Sequence, residues 1–477
     1  MHKLIAILFL LIFSFAKSQQ TDFSSIYHQN DTAQRVHGKD EIYLISNIKI
    51  SGNKKTKDII ILRELLFKQG DFISASQLQN TLKHSQELIF NTTLFLSDSV
   101  YVAEKRGNLL LINIDVKERW YLFPLPYVAL VDRNFNTWWV QEHHDWGRIN
   151  YGLKLMHNNF TGYNDHVTAW FVNGYTQMLA LRYSLPYFDR ALKQGFNIGY
   201  TYARQHEINF ETDSSNKQVF LTTPDNFIYT VSRFDATYSF RPNIKTRHYF
   251  KVTYTNENIA DTVVKLNTEF YPQNRTKINY VDFTYLLQYY NLDYNAYPTR
   301  GYFGEVFIYK RGINTLTNLW QIGVHGIYVK PLLKNTFFNT EAAATVKFPN
   351  NHYFFSQSLF GYGYYALRGM EYYVVDGSAG ALAKFTLQQH LFTYNATTHL
   401  RSKNYNKVPF KFYFKIYSDW GYAYNKYVNN NNFNNKLMYT YGAGLDVVSI
   451  YDMVFRFEYS VNQLGKSGLF IHFKSNF

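Results

Sequence analysis

The sequence predicts two folded parts behind a signal peptide: a small α+β domain in the order β-α-α-β-β, then a transmembrane antiparallel β-barrel of sixteen strands. Three observations lead there. Aromatic residues make up 19% of the chain, a high load for a water-soluble globule. Beyond the first twenty residues no apolar run is long enough for a membrane helix, so any crossing is made by strands. From about residue 124 onward the chain alternates with period two, whereas residues 41–120 carry helical spacing as well.

The first segment reads as a secretory signal over residues 1–18. Lys3 supplies the positive start, Leu4 to Ala16 the apolar stretch, and Ala16-Lys17-Ser18 the small residues of a cleavage site. Residues 19–40 are polar and pattern-free and read as a leader. The chain has no cysteine, which excludes disulfides, thiolate metal sites and a lipid-modified cysteine after the signal. The net charge of +14 is dispersed rather than striped. In an exported chain it suits acidic lipid head groups better than nucleic acid.

Residues 41–120 form the first domain. "IYLISNIKISGN" alternates as a strand and turns at Gly52-Asn53. In "TKDIIILRELLFKQG", Ile59, Leu62 and Leu66 share one helical face, and Gly70 stands as the stop. Ser74-x-x-Gln77 reads as a capping box opening a second helix with the stripe Leu78, Leu82 and Ile89. Two strands follow, "SDSVYVAE" and "NLLLINIDVKERW".

Residues 121–477 form the barrel. In 451–462, Met453, Phe455, Phe457, Tyr459 and Val461 share one face, and Asp452, Arg456, Glu458 and Asn462 the other. In 410–419, Phe410, Phe412, Phe414 and Ile416 alternate with Lys411, Tyr413, Lys415, Tyr417 and Asp419. A soluble sandwich also alternates. The signal, the aromatic load and the strand number favour a barrel with lipid outside and a polar lumen. The sixteen strands are expected near 125–132, 148–158, 165–174, 176–186, 194–204, 227–240, 248–257, 278–291, 301–311, 318–331, 336–348, 379–391, 409–420, 437–448, 451–462 and 467–477. An even number puts both barrel ends on one side, with the small domain in the periplasm and Phe477 as the C-terminal strand signal. Residues 349–378 then form a surface-side loop, and the Asn-rich run 429–435 lies in the next one as a mobile, chemically silent segment.

The first domain resembles a POTRA (polypeptide-transport-associated) domain through Gly52, Asn53, the Thr56–Arg63 helix start, Gly70-Asp71, "LFLSDSV", and the closing Glu118, Arg119 and Trp120. With the barrel, the chain resembles the BamA/TamA superfamily of outer-membrane assembly and translocation proteins. Its sharpest sign is "LRGMEYYVVDG": Leu367, Arg368, Gly369 and Met370 stand where that family carries V/L-R-G-F/Y at the tip of a surface loop folded back into the barrel. Methionine replaces the usual aromatic. "YSDWGYAYN" matches the family's inward-facing aspartate and glycine, here Asp419 and Gly421. Asp419 lies on the polar face by the alternation above, so Arg368 is expected to pair with it bidentately, and Gly369 to supply the loop's unusual backbone angles. Where relatives often have a further glutamate, this chain has Lys384-Phe385, leaving no third partner assigned to Arg368. Asn159-Phe160-Thr161-Gly162, Pro186-Tyr187-Phe188 and Pro298-Thr299-Arg300-Gly301 look like strand-end signals of turn chemistry.

The resemblance implies an outer-membrane protein, its POTRA domain periplasmic, that assists insertion of β-barrel proteins or translocation of polypeptides at a seam between the first and last barrel strands. It implies unfolded polypeptide clients, periplasmic or lipoprotein partners at the POTRA domain, and outer-membrane lipid as partners. A single POTRA unit suggests a specialised member; a passive pore is the alternative. No enzyme is expected, since neither G-x-S-x-G nor H-E-x-x-H occurs. Glu142-His143-His144-Asp145 is the one cluster suggestive of a metal: adjacent histidines on a strand point to opposite faces and chelate poorly, while in a surface loop they would bind a metal weakly or simply be solvated. No cofactor, metal site or nucleic-acid partner is expected.

Overall fold

The computed structural model describes residues 41–130, 143–313, 316–362, 365–397, 407–427 and 431–474. The signal, the leader, Glu142 and Phe477 lie outside the described residues. The first part runs β1 (Ile42–Ser51), α1 (Asp58–Leu62), β2 (Phe72–Ser74), α2 (Ala75–Phe90), β3 (Phe95–Arg106) and β4 (Leu109–Glu118). Its sheet has the order β2-β1-β4-β3, with β1 parallel to β4. β2 is an addition to the expected order; three residues are too few to leave a period-two signature.

Leu78, Leu82 and Ile89 of α2 are buried as expected and pack with Ile45, Leu110, Ile112 and Ile114. The first helix differs. It ends at Leu62, and its buried residues are Ile60 and Ile61, while Ile59, Leu62 and Leu66 are exposed. Four consecutive apolar residues leave the helical phase undetermined, and the expected stripe was the wrong face. Gly70 sits at φ +92° in the turn before β2 rather than at the helix end. Ser74 is the N-cap of α2, but its hydroxyl meets the Ser76 hydroxyl at 3.0 Å and makes no cap bond, so the capping box is not formed.

The second part is one antiparallel sheet of sixteen strands. It opens with β5 (Leu122–Leu130), β6 (Ile149–Asn158), β7 (His166–Gly174), β8 (Thr176–Leu185) and β9 (Gln194–Gln205). A hairpin of β10 (Glu207–Thr212) and β11 (Gln218–Thr222) stands apart from the sheet. The sheet resumes with β12 (Tyr229–Phe240), β13 (Thr246–Ile259), β14 (Lys277–Leu292), β15 (Gly301–Arg311), β16 (Leu319–Leu333) and β17 (Thr336–Phe348). Helix α3 (Asp261–Leu266) lies between β13 and β14, and α4 (Phe354–Gln357) follows β17. The short β18 (Ser358–Phe360) and β19 (Val375–Asp376) pair within the loop before β20 (Ala379–Thr397). The sheet closes its sequence with β21 (Lys407–Tyr424), β22 (Leu437–Val448), β23 (Val454–Asn462) and β24 (Ser467–Lys474). Each sheet strand pairs with its neighbour in this order, and the order ends at β5 and β24.

Burial is inverted relative to a soluble protein. On β21 the charged Lys415 and Asp419 are 3% and 0% exposed, whereas Phe414 and Ile416 are 46% and 48% exposed. β23 repeats this, with Glu458 buried and Phe457 and Tyr459 exposed. Apolar side chains outward and charged ones inward is the arrangement lipid demands of a barrel wall. One predicted strand begins late: residues 450–452 form a 3₁₀ turn, Tyr451 and Asp452 have positive φ, and β23 starts at Val454. Asp452 therefore belongs to a turn, not to the polar face of a strand.

Candidate functional site

The loop between β17 and β20 turns inward and lays residues 367–370 against the last strands. The Arg368 backbone N–H and Nε each donate to Asp419 Oδ2 at 2.9 Å, and its second guanidinium nitrogen reaches Oδ1. The guanidinium also lies 3.9 Å from the ring centroid of Tyr417. Tyr417 thus takes the place for which sequence offered no third partner, and Lys384 meets Glu341 at 3.3 Å instead. Alternation on β21 puts Tyr417 and Asp419 on the same lumen face, so this contact was legible in the strand pattern.

Two glycines make the close approach possible. Gly369 has φ +82°, and a Cβ there would come 2.6 Å from Ser460 Cβ. Its carbonyl accepts from Asn462 Nδ2 at 3.0 Å. A Cβ on Gly421 would meet Leu367 Cδ1 at 3.0 Å and Met438 Cε at 3.3 Å. Leu367 and Met370 are buried in a cluster with Leu359, Phe360, Leu382, Ala423, Phe433 and Met438. Met370 fits among these side chains because an unbranched thioether fills irregular space.

The Asn-rich segment, expected to be mobile, is docked where it is described. Phe433 is fully buried in that cluster. Asn216, at the tip of the β10–β11 hairpin, accepts from Asn432 N at 3.0 Å and Phe433 N at 3.1 Å and donates to Val374 O at 3.2 Å. Three loops are therefore knitted together over the lumen. Alternation cannot reveal this, because it rests on residues 158 to 217 positions apart.

Of the residues marking the first domain, Gly52, Asn53 and Glu118 brace the domain itself, and Arg119 and Trp120 hold it to the barrel rim. A Cβ on Gly52, at φ +90°, would strike Val116 O at 1.9 Å. Asn53 Nδ2 donates to Thr56 O at 2.9 Å. Glu118 accepts from Thr56 N at 2.7 Å and Lys55 N at 3.0 Å. Burial pushes the Glu118 carboxyl up, but these N–H bonds outweigh it and hold it below its ordinary value. Arg119 donates to Asp452 at 3.0 and 3.4 Å, joining the end of β4 to the turn before β23. Trp120 N donates to the hydroxyl of Tyr451, and its ring is exposed.

Sequence reasoning missed the strongest clamp. Arg241, between β12 and β13, gives both guanidinium nitrogens to Glu64 at 2.7 Å, with both residues buried. Burial raises the Glu64 carboxyl, and the Arg241 charge more than reverses this. Arg241 also donates to Tyr187 at 2.6 Å, and Arg63 lies over the Tyr187 ring at 4.0 Å. Asn159 Nδ2 donates to Thr56 Oγ1 at 2.9 Å, and Arg300 to Glu87 at 2.6 Å. The turns taken for simple strand ends are thus docking points for the first domain. A cavity of about 890 Å³ remains between domain and rim, lined among others by Glu64, Glu87, Arg241, Arg247 and Arg300. His143 and His144 lie in a turn, and no group of metal-ligating residues occurs among the described residues.

Residues 43–119 match the POTRA family model, described as surface antigen variable number repeat. A stretch of 79 residues is 38% identical to the outer membrane protein assembly factor BamA of Neorickettsia risticii (strain Illinois). The family match makes residues 43–119 a POTRA domain, and the identity to BamA is a likeness over one short stretch. That match covers 16% of this chain and 10% of the relative, so the chain spans a small part of the curated relative's length. Among solved structures, BamA from Haemophilus ducreyi lacking POTRA domains 1–3 aligns at a TM-score of 0.48 and 16% identity, over 93% of this chain and 84% of that one. CdiB from Escherichia coli aligns at 0.48 and 11% identity, over 94% and 92%.

Proposed function

We propose that the protein acts at the outer membrane, its POTRA domain in the periplasm, and assists insertion of β-barrel proteins or translocation of polypeptides through a lateral seam between β5 and β24. The observation that carries this reading is the edge of β5. Asn158 N donates to Tyr121 O at 2.8 Å, so odd-numbered residues of β5 turn their backbone groups to β6 and even-numbered ones turn theirs away. Pro124 and Pro126 are even-numbered, and proline has no N–H. Among the described residues, β5 and β24 share no ladder. A first strand with two donors removed from its outer edge closes weakly against the last strand. Leu122 O there accepts from the Trp120 indole N–H; the carbonyls from Pro124 onward and the donors beyond Pro126 are the groups left to template an incoming strand by β-augmentation.

The client is an unfolded outer-membrane or exported polypeptide. The POTRA sheet, with the short β2 at one edge, offers a second template for clients or for periplasmic and lipoprotein partners. The protein acts without covalent chemistry, by lending its edge and by adjoining lipid at the seam. A photo-crosslinking side chain at Val128, which is 73% exposed on β5, tests this. During client assembly it is expected to capture the client's strands, and the same probe at Phe234 on β12, 51% exposed, is not. Equal capture at both positions, or ion conduction with no capture at either, argues for a passive pore.

A further inference from the structure

We infer that Glu371 and His472 form a tether through which the loop carrying Arg368 sets the position of β24. The loop crosses the inner wall in steps. Arg368 meets Asp419 on β21, and Gly369 packs on Ser460 and accepts from Asn462 on β23. The next residues reach the last strand. Glu371 Oε1 is 3.3 Å from His472 Nε2, and the Tyr372 ring lies 5.7 Å from that of Phe470.

The same His472 nitrogen is 3.4 Å from Glu458 Oε2 on β23. Glu458 Oε1 in turn accepts from Lys415 Nζ at 2.6 Å, and that ammonium meets Asp446 Oδ1 at 2.6 Å. His472 therefore sits where the loop joins the buried charge network of β21, β22 and β23. On β24, Phe470 and His472 turn into the lumen while Leu469, Ile471 and Phe473 are exposed outward.

β24 is laddered on one side only among the described residues, to β23. A strand with one ladder partner frays more readily than one with two. Its lumen contacts then carry a large share of its positioning. Glu371 and His472 are positioning residues for the seam, and the assignment of β24 as a seam strand rests on the function proposed above. Undocking of the loop and release of β24 become one event.

Hydrogen exchange on the full chain in phosphatidylethanolamine and phosphatidylglycerol nanodiscs tests the tether with no client present, so its outcome is independent of insertase activity. Glu371→Ala and His472→Ala are each expected to speed exchange in residues 467–474 about five-fold, the effect of losing a single such contact. The double variant should exchange no faster than the faster single variant. Glu371→Asp, still charged but shorter, should fall between Glu371→Ala and the parent. Exchange across β12 and β13 should stay at the parent's rate and reports folding. Unchanged exchange in 467–474, or a double variant whose factor is the product of the two single factors, overturns the tether. If either alanine variant loses β12–β13 protection, the pair is read in the otherwise cysteine-free chain. Glu371→Cys with His472→Cys should then be bridged rapidly by a short bifunctional thiol reagent, and failure to bridge overturns the proposal.

Discussion

Arg368→Ala removes one half of the buried pair and leaves the other in place. Asp419 is fully buried, and the loss strips it of two guanidinium donors, keeping only the Arg368 backbone N–H. Breaking a buried ion pair from one side costs about 3–5 kcal/mol, because the remaining charge is uncompensated. The sixteen-stranded ladder does not depend on this contact, so the effect falls on loop docking rather than on the barrel. At about 1.4 kcal/mol per decade, the docked-to-undocked ratio should fall by at least ~100-fold. Hydrogen exchange in residues 365–376 should accelerate accordingly while exchange in β12 to β15 holds. Arg368→Lys keeps a charge but not the fork or the flat face over Tyr417, and should give a smaller acceleration. Adding Asp419→Ala to Arg368→Ala should recover part of the loss, since the orphaned charge goes too. Unaltered exchange in the loop of Arg368→Ala, or acceleration spread evenly over the barrel, refutes the assignment of this pair as the loop's lock.

Glu64→Gln orphans Arg241 at the rim and should weaken POTRA docking by about 3–5 kcal/mol, read as faster exchange in residues 54–66 with the barrel unaffected. Docking should also weaken in acid: the Glu64 carboxyl is held below its ordinary 4.5, so its contribution is present above that pH and is lost as pH falls through the depressed value, and Glu118, likewise held below 4.5, contributes in the same direction to the stability of the POTRA domain itself. Asp98 has the opposite sign. Burial pushes its carboxyl from 3.8 up to about 7, so POTRA stability should decline as pH rises from about 4 to 7, and Asp98→Asn should flatten that slope in a denaturation series. Replacing Pro124 and Pro126 with alanine restores two edge donors, and should slow exchange in β24 and reduce client capture at Val128.

The barrel strands were legible because lipid on one side and charge on the other impose strict alternation, and Phe414 beside Lys415 shows it plainly. Register errors appeared where alternation lapses: Asp452 continues a strand pattern in sequence yet occupies a positive-φ turn that receives Arg119. In α1 the run Ile59-Ile60-Ile61-Leu62 carries no phase, so the buried face had to come from packing. The Arg368–Asp419 pair was readable because one partner lay in a recognisable motif and the other on a strand face fixed by alternation. Glu64 and Arg241 had neither signal. They are 177 positions apart, and nothing in either neighbourhood marks them as partners. The docked Asn-rich loop was misread for the same reason, since its partner Asn216 lies in a distant hairpin.

The central claim is that this chain helps other polypeptides into the membrane. The most direct test follows the folding rate of an unfolded outer-membrane barrel in liposomes, with the full chain present, absent, or carrying Arg368→Ala. The expected result is faster client folding with the parent chain and loss of that acceleration in the variant. Client folding at the same rate with and without the parent chain, for several clients, contradicts the claim and leaves Arg368 as a brace of the barrel wall.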